Sequence, residues 1–208
     1  MNNWLLALGF TAQALFSARM LIQWILSEKA GKSVSPAIYW QLSLLASVLF
    51  LIYGFLRDDF VIILGQIISY YIYIWNLNTK NIWKPLPAII RFGITILPPV
   101  IVAYMIFIDG ICLRCLFTDV PVGLLLFGSA GQIIFTLRFV YQWLYSKSRH
   151  ESLLPVGFWV FSIIGSFITI IYAIFRSDPV LIIGQGVGFI SYMRNFFIAR
   201  KEIKTMRV

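Results

Sequence analysis

Two arginines stand inside apolar stretches, Arg19 in ALFSARMLIQW and Arg138 in IIFTLRFVYQW. A guanidinium stays charged and presents a planar fork of donors that suits phosphate or carboxylate. Setting one near the middle of an apolar helix costs on the order of 3 kcal/mol by insertion scales. Each lies about eight residues from the C-terminal end of its stretch, roughly 12 Å deep at 1.5 Å per residue. Two readings fit that depth: the side chain snorkels to the headgroups, or it holds an anion inside a cavity. Gln23 and Gln142 follow one turn on. Their amides are expected to accept from the guanidinium or to donate to a bound phosphate.

These residues belong to a duplication. Shifted by 119 residues without a gap, Gln13 falls on Gln132, Phe16 on Phe135, Arg19 on Arg138, Gln23 on Gln142 and Ser27 on Ser146. Further along, Trp40 falls on Trp159, Ser43 on Ser162, Ser47 on Ser166, Gln66 on Gln185, Tyr73 on Tyr192 and Asn76 on Asn195. Polar letters recurring inside apolar spans mark an internal repeat. At 100° per residue the matched positions of each stretch share one face. Polar faces in lipid turn inward, so the six faces are expected to meet near the repeat interface. The candidate substrate-binding set is therefore Arg19, Gln23, Trp40, Gln66, Asn76, Arg138, Gln142, Trp159, Gln185 and Asn195. Each has a plainer alternative. The amides of Gln66, Gln185, Asn76 and Asn195 can bond helix to helix. Trp40 and Trp159 can form an aromatic belt rather than a stacking surface for a sugar ring. Ser43, Ser47, Ser162 and Ser166 suit close helix packing.

The elements that position these residues follow from composition. Hydrophobic residues make up 60% of the 208 and charged residues 12%, where a soluble domain carries about a quarter charged. Seven stretches approach the roughly 20 residues that span a bilayer: 4–27, 37–56, 60–78, 86–108, 122–145, 156–175 and 179–199. Backbone groups in lipid must pair within their own segment, so these are predicted as helices. With the N-terminus outside, eleven Lys and Arg fall in inner segments and three in outer loops. That bias places the N-terminus outside and the C-terminus in the cytoplasm. The net charge of +9 is thus read as orientation, with membrane lipids and not nucleic acid as its partner. The first stretch has no basic leader or clear cleavage site and is expected to remain.

The expected organisation is a first three-helix repeat at 1–80, a linker helix and outer loop at 81–120, and a second repeat with a basic cytoplasmic tail at 121–208. The linker helix reverses the chain, so both repeats enter from the same side as parallel repeats. Pro98 and Pro99 are expected to kink the linker. Arg194 is expected to snorkel. Asp59 and Asp178 sit beside Arg57 and Arg176 in short turns, where local pairing or capping accounts for them. Cys112 and Cys115 form a C-x-x-C in the outer loop, where a local disulfide is allowed; the only histidine, His150, is predicted on the opposite side. No nucleophile–base pair, metal cluster, phosphate loop or dinucleotide fingerprint is present. The expectation is a transporter or membrane binding protein, not an enzyme, with no cofactor.

The second copy carries RFVYQW at 138–143, Ser152-x-x-Pro155, Phe158-Trp159, Arg176-x-Asp178-Pro179-Val180, Gly184-Gln185 and Tyr192-x-Arg194-Asn195. These motifs resemble the lipid-A-disaccharide synthase N-terminal domain family. The first copy resembles it too, but departs at Asp58-Asp59-Phe60 and at Trp75-Asn76. The resemblance implies kinship with PQ-loop and SWEET-like three-helix-bundle transporters. It implies an all-α polytopic membrane fold of seven transmembrane helices in a 3-1-3 SWEET-like arrangement of two parallel repeats. No Pro-Gln dipeptide is present, so sugar selectivity is not inherited. The family name implies lipid A or glycolipid metabolism in a bacterial inner membrane. Glycosyltransfer is not expected, since a soluble synthase domain has no counterpart in these 208 residues. Three functions follow as expectations: flippase-like transport of a lipid-linked or phosphorylated sugar, facilitated passage of small free sugars, or a scaffold recruiting a cytoplasmic glycosyltransferase. Cysteines placed at Lys32, Lys80 and Lys147 are expected to label from the cytoplasm and one at Asp119 from outside. Labelling of Lys32 and Asp119 from the same side would overturn the topology.

Overall fold

The computed structural model describes residues 3–56, 60–107, 121–175 and 179–205. They form α1 (Asn3–Ala30), α2 (Ala37–Leu56), α3 (Phe60–Thr79), α4 (Ala88–Phe107), α5 (Val122–Arg149), α6 (Val156–Phe175) and α7 (Pro179–Thr205). The fold class is all-α, with no strand among the described residues. All seven apolar stretches are helical, but α1, α5 and α7 run past their apolar limits to Ala30, Arg149 and Thr205. Hydropathy marks where lipid contact ends, whereas Glu, Lys and Arg beyond that point remain good helix formers. Pro98 and Pro99 lie inside α4. Arg57, Asp59, Cys112, Cys115, Arg176 and Asp178 fall outside the described residues.

Matched signals stop α1 and α5. Gly31 and His150, related by the same 119-residue shift, both take left-handed backbone, with φ of 65° and 53°. After α5 the N–H groups of His150 and Glu151 donate back to the carbonyls of Lys147 and Ser146 at 3.3 and 3.2 Å. This closes the helix in the Schellman manner. Pro36 and Pro155 then precede α2 and α6, where a fixed φ suits helix entry.

By length and composition, α2, α5 and α6 are each able to cross a membrane. Large apolar side chains lie exposed on several helices, among them Ile89, Phe92 and Phe107 on α4 and Phe175 on α6. A surface this apolar suits apolar surroundings.

The helices pack in a closed circuit. α1 lies on α2, α2 on α3, α3 on α5, α5 on α6, α6 on α7, and α7 returns to α1. α4 sits outside this circuit against α3 and α2. Close approach within the second repeat depends on Gly165, where an added Cβ would lie 2.8 Å from Phe135 backbone atoms. A small residue lets α6 meet α5 backbone to backbone.

The two repeats are clasped at the end bearing loops 31–36 and 150–155, here called the basic end. Gln23 Nε2 donates to Asn195 Oδ1 at 3.0 Å. In the reciprocal contact Gln142 Nε2 donates to Asn76 Oδ1 at 3.0 Å, and Asn76 Nδ2 donates to Gln142 Oε1 at 3.1 Å. Each glutamine also donates into its own repeat, Gln23 to Ser27 Oγ and the Val34 carbonyl, Gln142 to Ser146 Oγ and the Leu153 carbonyl. Ser152 Oγ donates to Asn76 Oδ1 at 2.7 Å, and Ser35 Oγ donates to the Ser152 carbonyl. At the rim the Ser33 N–H donates to Glu202 Oε2 at 3.1 Å. Arg194 donates from Nε and Nη2 to Glu28. The bond from Arg194, with a second from Trp24, holds the Glu28 carboxyl below its ordinary range. Arg194 therefore does not reach outward alone: it ties α7 to α1.

Neutral hydrogen bonds of this kind contribute about 0.5–1.5 kcal/mol each, and a buried partner left bare costs about 1–3 kcal/mol. Asn76→Leu removes the acceptor shared by Gln142 and Ser152 and leaves Gln142 Oε1 without its donor. Its midpoint of thermal unfolding in detergent is expected to fall by several degrees relative to wild type. An unchanged midpoint would show that the clasp does not stabilise the pair of repeats.

Candidate functional site

Both arginines point into the circuit. Arg19 is 4% exposed and Arg138 2%, so neither snorkels to the surface. Phe16 precedes Arg19 by three residues and Phe135 precedes Arg138 by three, which puts ring and guanidinium on one helix face. The Arg19 Cζ lies 4.6 Å from the Phe16 centroid, 5.2 Å from Tyr39, 5.5 Å from Tyr73 and 5.7 Å from Phe139. The Arg138 Cζ lies 3.4 Å from Phe135, 4.5 Å from Phe139, 5.4 Å from Tyr192 and 5.6 Å from Phe158. Phe139 belongs to both shells. The two charges thus share a single ring where α5 meets the first repeat.

Each shell continues into a tryptophan. Trp40 packs on Tyr39 at 4.7 Å and Tyr73 at 6.1 Å; Trp159 packs on Phe158 at 4.9 Å and Tyr192 at 6.4 Å. Both tryptophans are fully buried, so they do not form an outward-facing belt. Trp159 Nε1 donates to Ser33 Oγ at 3.2 Å, across the repeats, while Trp40 Nε1 has no hydrogen-bond partner.

The electrostatics are one-sided. Ring faces attract a guanidinium, by about 2 kcal/mol when it is desolvated, but they supply no negative charge. Among the described residues the acids are Glu28, Glu151 and Glu202, all at the basic end, and the ion pair formed is Glu28 with Arg194. Arg19 Nη1 donates to Ser43 Oγ at 2.6 Å and to the Tyr73 hydroxyl at 3.2 Å. Arg19 Nε, Arg138 Nε and Arg138 Nη1 are buried without a hydrogen-bond partner. Two buried cations with bare donors form a site with a deficit of negative charge and of acceptors, which an anion with several oxygens fills.

The predicted residues divide between two places. Arg19, Arg138, Trp40 and Trp159 gather in the aromatic centre. Gln23, Gln142, Asn76 and Asn195 meet one another in the clasp. The expected bond from each glutamine to its arginine does not form: each Nε2 donates to its own loop carbonyl and serine, Gln142 Oε1 accepts from Asn76, and Gln23 Oε1 is left without a partner. Gln66 Oε1 accepts from Ser47 at 2.9 Å, joining α3 to α2. Ser166 donates to the Gln185 backbone carbonyl at 3.2 Å, and Gln185 Oε1 is left without a partner. A cavity of about 280 Å³ lies between α1 and α7 and is lined by Phe10, Gln13, Ala14, Ser17, Ile183, Gly184 and Val187. Neither guanidinium lines it.

Sequence reasoning gives the shell no role: Tyr39 carries no signal, and Phe139 and Phe158 stand only as letters of the family motifs. Tyr73 and Tyr192 were matched by the duplication, and that was the available signal. The duplication does not mark Phe139, whose counterpart in the first repeat is Met20.

A family model described as the Lipid A Biosynthesis N-terminal domain matches this chain twice, at residues 8–78 and 127–197. Curated relatives include lipid-A-disaccharide synthases of Chlamydia. That of Chlamydia trachomatis serovar D is 30% identical over 96% of this chain and 35% of its own length. That of Chlamydia muridarum is 31% identical over 96% and 35%, and that of Chlamydia caviae 29% over 94% and 33%. The chain therefore spans about a third of the length of the curated relatives it matches. No solved structure matches. With the motif present in both halves and the similarity running almost end to end, the chain belongs to the lipid A biosynthesis N-terminal domain family.

Proposed function

We propose that this protein binds the anionic headgroup of a lipid-linked or phosphorylated sugar and carries it across the inner membrane of a bacterium. The observation that supports this reading most is the buried pair Arg19 and Arg138, enclosed by aromatic rings and paired with none of the described carboxylates. A structural core has no need of two unneutralised cations, and a phosphate relieves them. Rings around the charges offer apolar faces on which a sugar stacks. The family's link to lipid A supplies the glycolipid chemistry.

In this reading all seven helices cross the membrane in a 3-1-3 arrangement, with α1–α3 and α5–α7 as parallel repeats and the N-terminus outside. The reciprocal pairs Gln23–Asn195 and Gln142–Asn76 suit a pseudo-twofold axis along the membrane normal. Such repeats commonly hold a substrate at their interface and rock about it. The clasp then serves as the closed cytoplasmic side, because hydrogen bonds between the repeats gather there. The buried pair of guanidiniums draws the anion in by charge, the aromatic shell excludes water, and no residue acts as a catalyst.

A second reading has one observation in its favour. The relatives named lipid-A-disaccharide synthase are about three times as long as this chain, so a unit of this kind also suits a membrane scaffold that holds a cytoplasmic glycosyltransferase. The basic loops 28–35 and 146–154 would be its docking surface.

Flux in reconstituted vesicles separates the two. Wild type is expected to move a fluorescent sugar-phosphate lipid between leaflets. The correctly inserted Arg19→Lys/Arg138→Lys double variant is expected to be at least about tenfold slower, since a point charge loses the bidentate geometry. Equal rates in wild type, the double variant and protein-free vesicles would remove the transport reading and leave the scaffold.

A further inference from the structure

We propose that the two arginines have different tasks: Arg138 contacts the anion, and Arg19 braces the first repeat. This rests on the anion-site reading above and narrows it to one guanidinium.

The duplication supplies an internal comparison. Arg19 and Arg138 are equivalent by sequence, as are Ser43 and Ser162, and Tyr73 and Tyr192. In the first repeat the three equivalents are bonded together: Arg19 Nη1 donates to Ser43 Oγ on α2 and to the Tyr73 hydroxyl on α3. Arg19 thereby ties α1 to both other helices of its repeat. In the second repeat the same residue types are present but not so joined. Ser162 Oγ donates to the Phe158 carbonyl at 2.6 Å, as Ser43 Oγ does to the Tyr39 carbonyl at 2.5 Å, but Ser162 takes no bond from Arg138. The Tyr192 ring stands 5.4 Å from the Arg138 Cζ. Arg138 Nε and Nη1 have no hydrogen-bond partner, although the side chain is 2% exposed.

The two shells also differ in composition. Tyr39 of the Arg19 shell is replaced by Phe158 in the Arg138 shell, and Met20 is replaced by Phe139. Arg138 lies against the faces of Phe135 and Phe139, at 3.4 and 4.5 Å. A ring face attracts the charge while leaving the in-plane N–H groups free to donate. Nε and Nη1 lie on different edges of the guanidinium, so an open donor remains on each edge. A phosphate oxygen can accept from the open donor on either edge. Arg19 keeps Nε open, but its Nη1 is already committed. The ligand chemistry is a phosphate monoester or diphosphate, either on a lipid or free.

Isothermal titration of the full chain in neutral detergent tests this, with dodecyl phosphate and inorganic phosphate as probes. Wild type, Arg138→Lys, Arg19→Lys and Ser43→Ala are compared, each after its melting curve confirms folding. Arg138→Lys is expected to weaken dodecyl phosphate binding by about tenfold or more, through loss of the planar fork. Arg19→Lys and Ser43→Ala are expected to stay within about threefold while melting earlier, as loss of a buried hydrogen bond requires. Binding of dodecyl phosphate but not inorganic phosphate supports a lipid source for the anion. Equal affinity for the two supports a free phosphate group at the same guanidinium. If Arg19→Lys or Ser43→Ala loses as much affinity as Arg138→Lys, the division of tasks is wrong and the paired site stands. If neither probe binds wild type, the anion-site reading falls with it.

Discussion

Two positive charges are held out of water in this molecule without a carboxylate among the described residues to meet them, and much of the architecture answers to that constraint. An ion in low dielectric is expensive, by several kcal/mol even after relaxation. The helices therefore present what an apolar interior can offer a guanidinium. Rings surround both charges, and Phe139 lies within 5.7 Å of each Cζ. Ser43 and Tyr73 supply oxygens on one side only. The remaining open donors make the centre a place that attracts an anion.

The clasp at the basic end belongs to the same arrangement. Asparagine and glutamine amides are fully buried there, and they bond to one another across the two seams and to the loop carbonyls, with Gln23 Oε1 left without a partner. Its reciprocity follows from duplication: when one unit reaches a residue on its twin, the twin reaches back by the same geometry. Neutral amide pairs break at modest cost, so this seam can hold the two repeats together and still release them. A closed clasp beside a sealed charged centre is what a carrier presents between entry and exit. It is equally a stable frame for a scaffold.

Much of this was legible from residue types and spacing. The all-α fold followed from long apolar runs with no backbone alternative in lipid. The duplication was legible because polar letters such as Gln23 and Asn76 recur inside those runs, and the family match over 8–78 and 127–197 agrees with it. That Arg19 and Arg138 matter was visible from the cost of placing them there. What each polar side chain bonds to was not. Gln23 sits one turn from Arg19, yet its amide goes to Ser27, Val34 and Asn195. Spacing along one helix says which face a residue shares and nothing about the loop that folds over it. The inequality of the arginines was hidden for the same reason: it depends on hydrogen bonds to α2 and α3 and not on the arginine's own helix.

A high-resolution structure of the full chain in nanodiscs of anionic lipid is the most direct test of the central claim, that the buried guanidiniums await an anion. The expected result is a phosphate group inside the helix circuit, with an oxygen about 3 Å from Arg138 Nε or Nη1, the ordinary length of such a bond. A centre in which those donors are met by protein oxygens, with phosphate found only at the membrane surface, would contradict it.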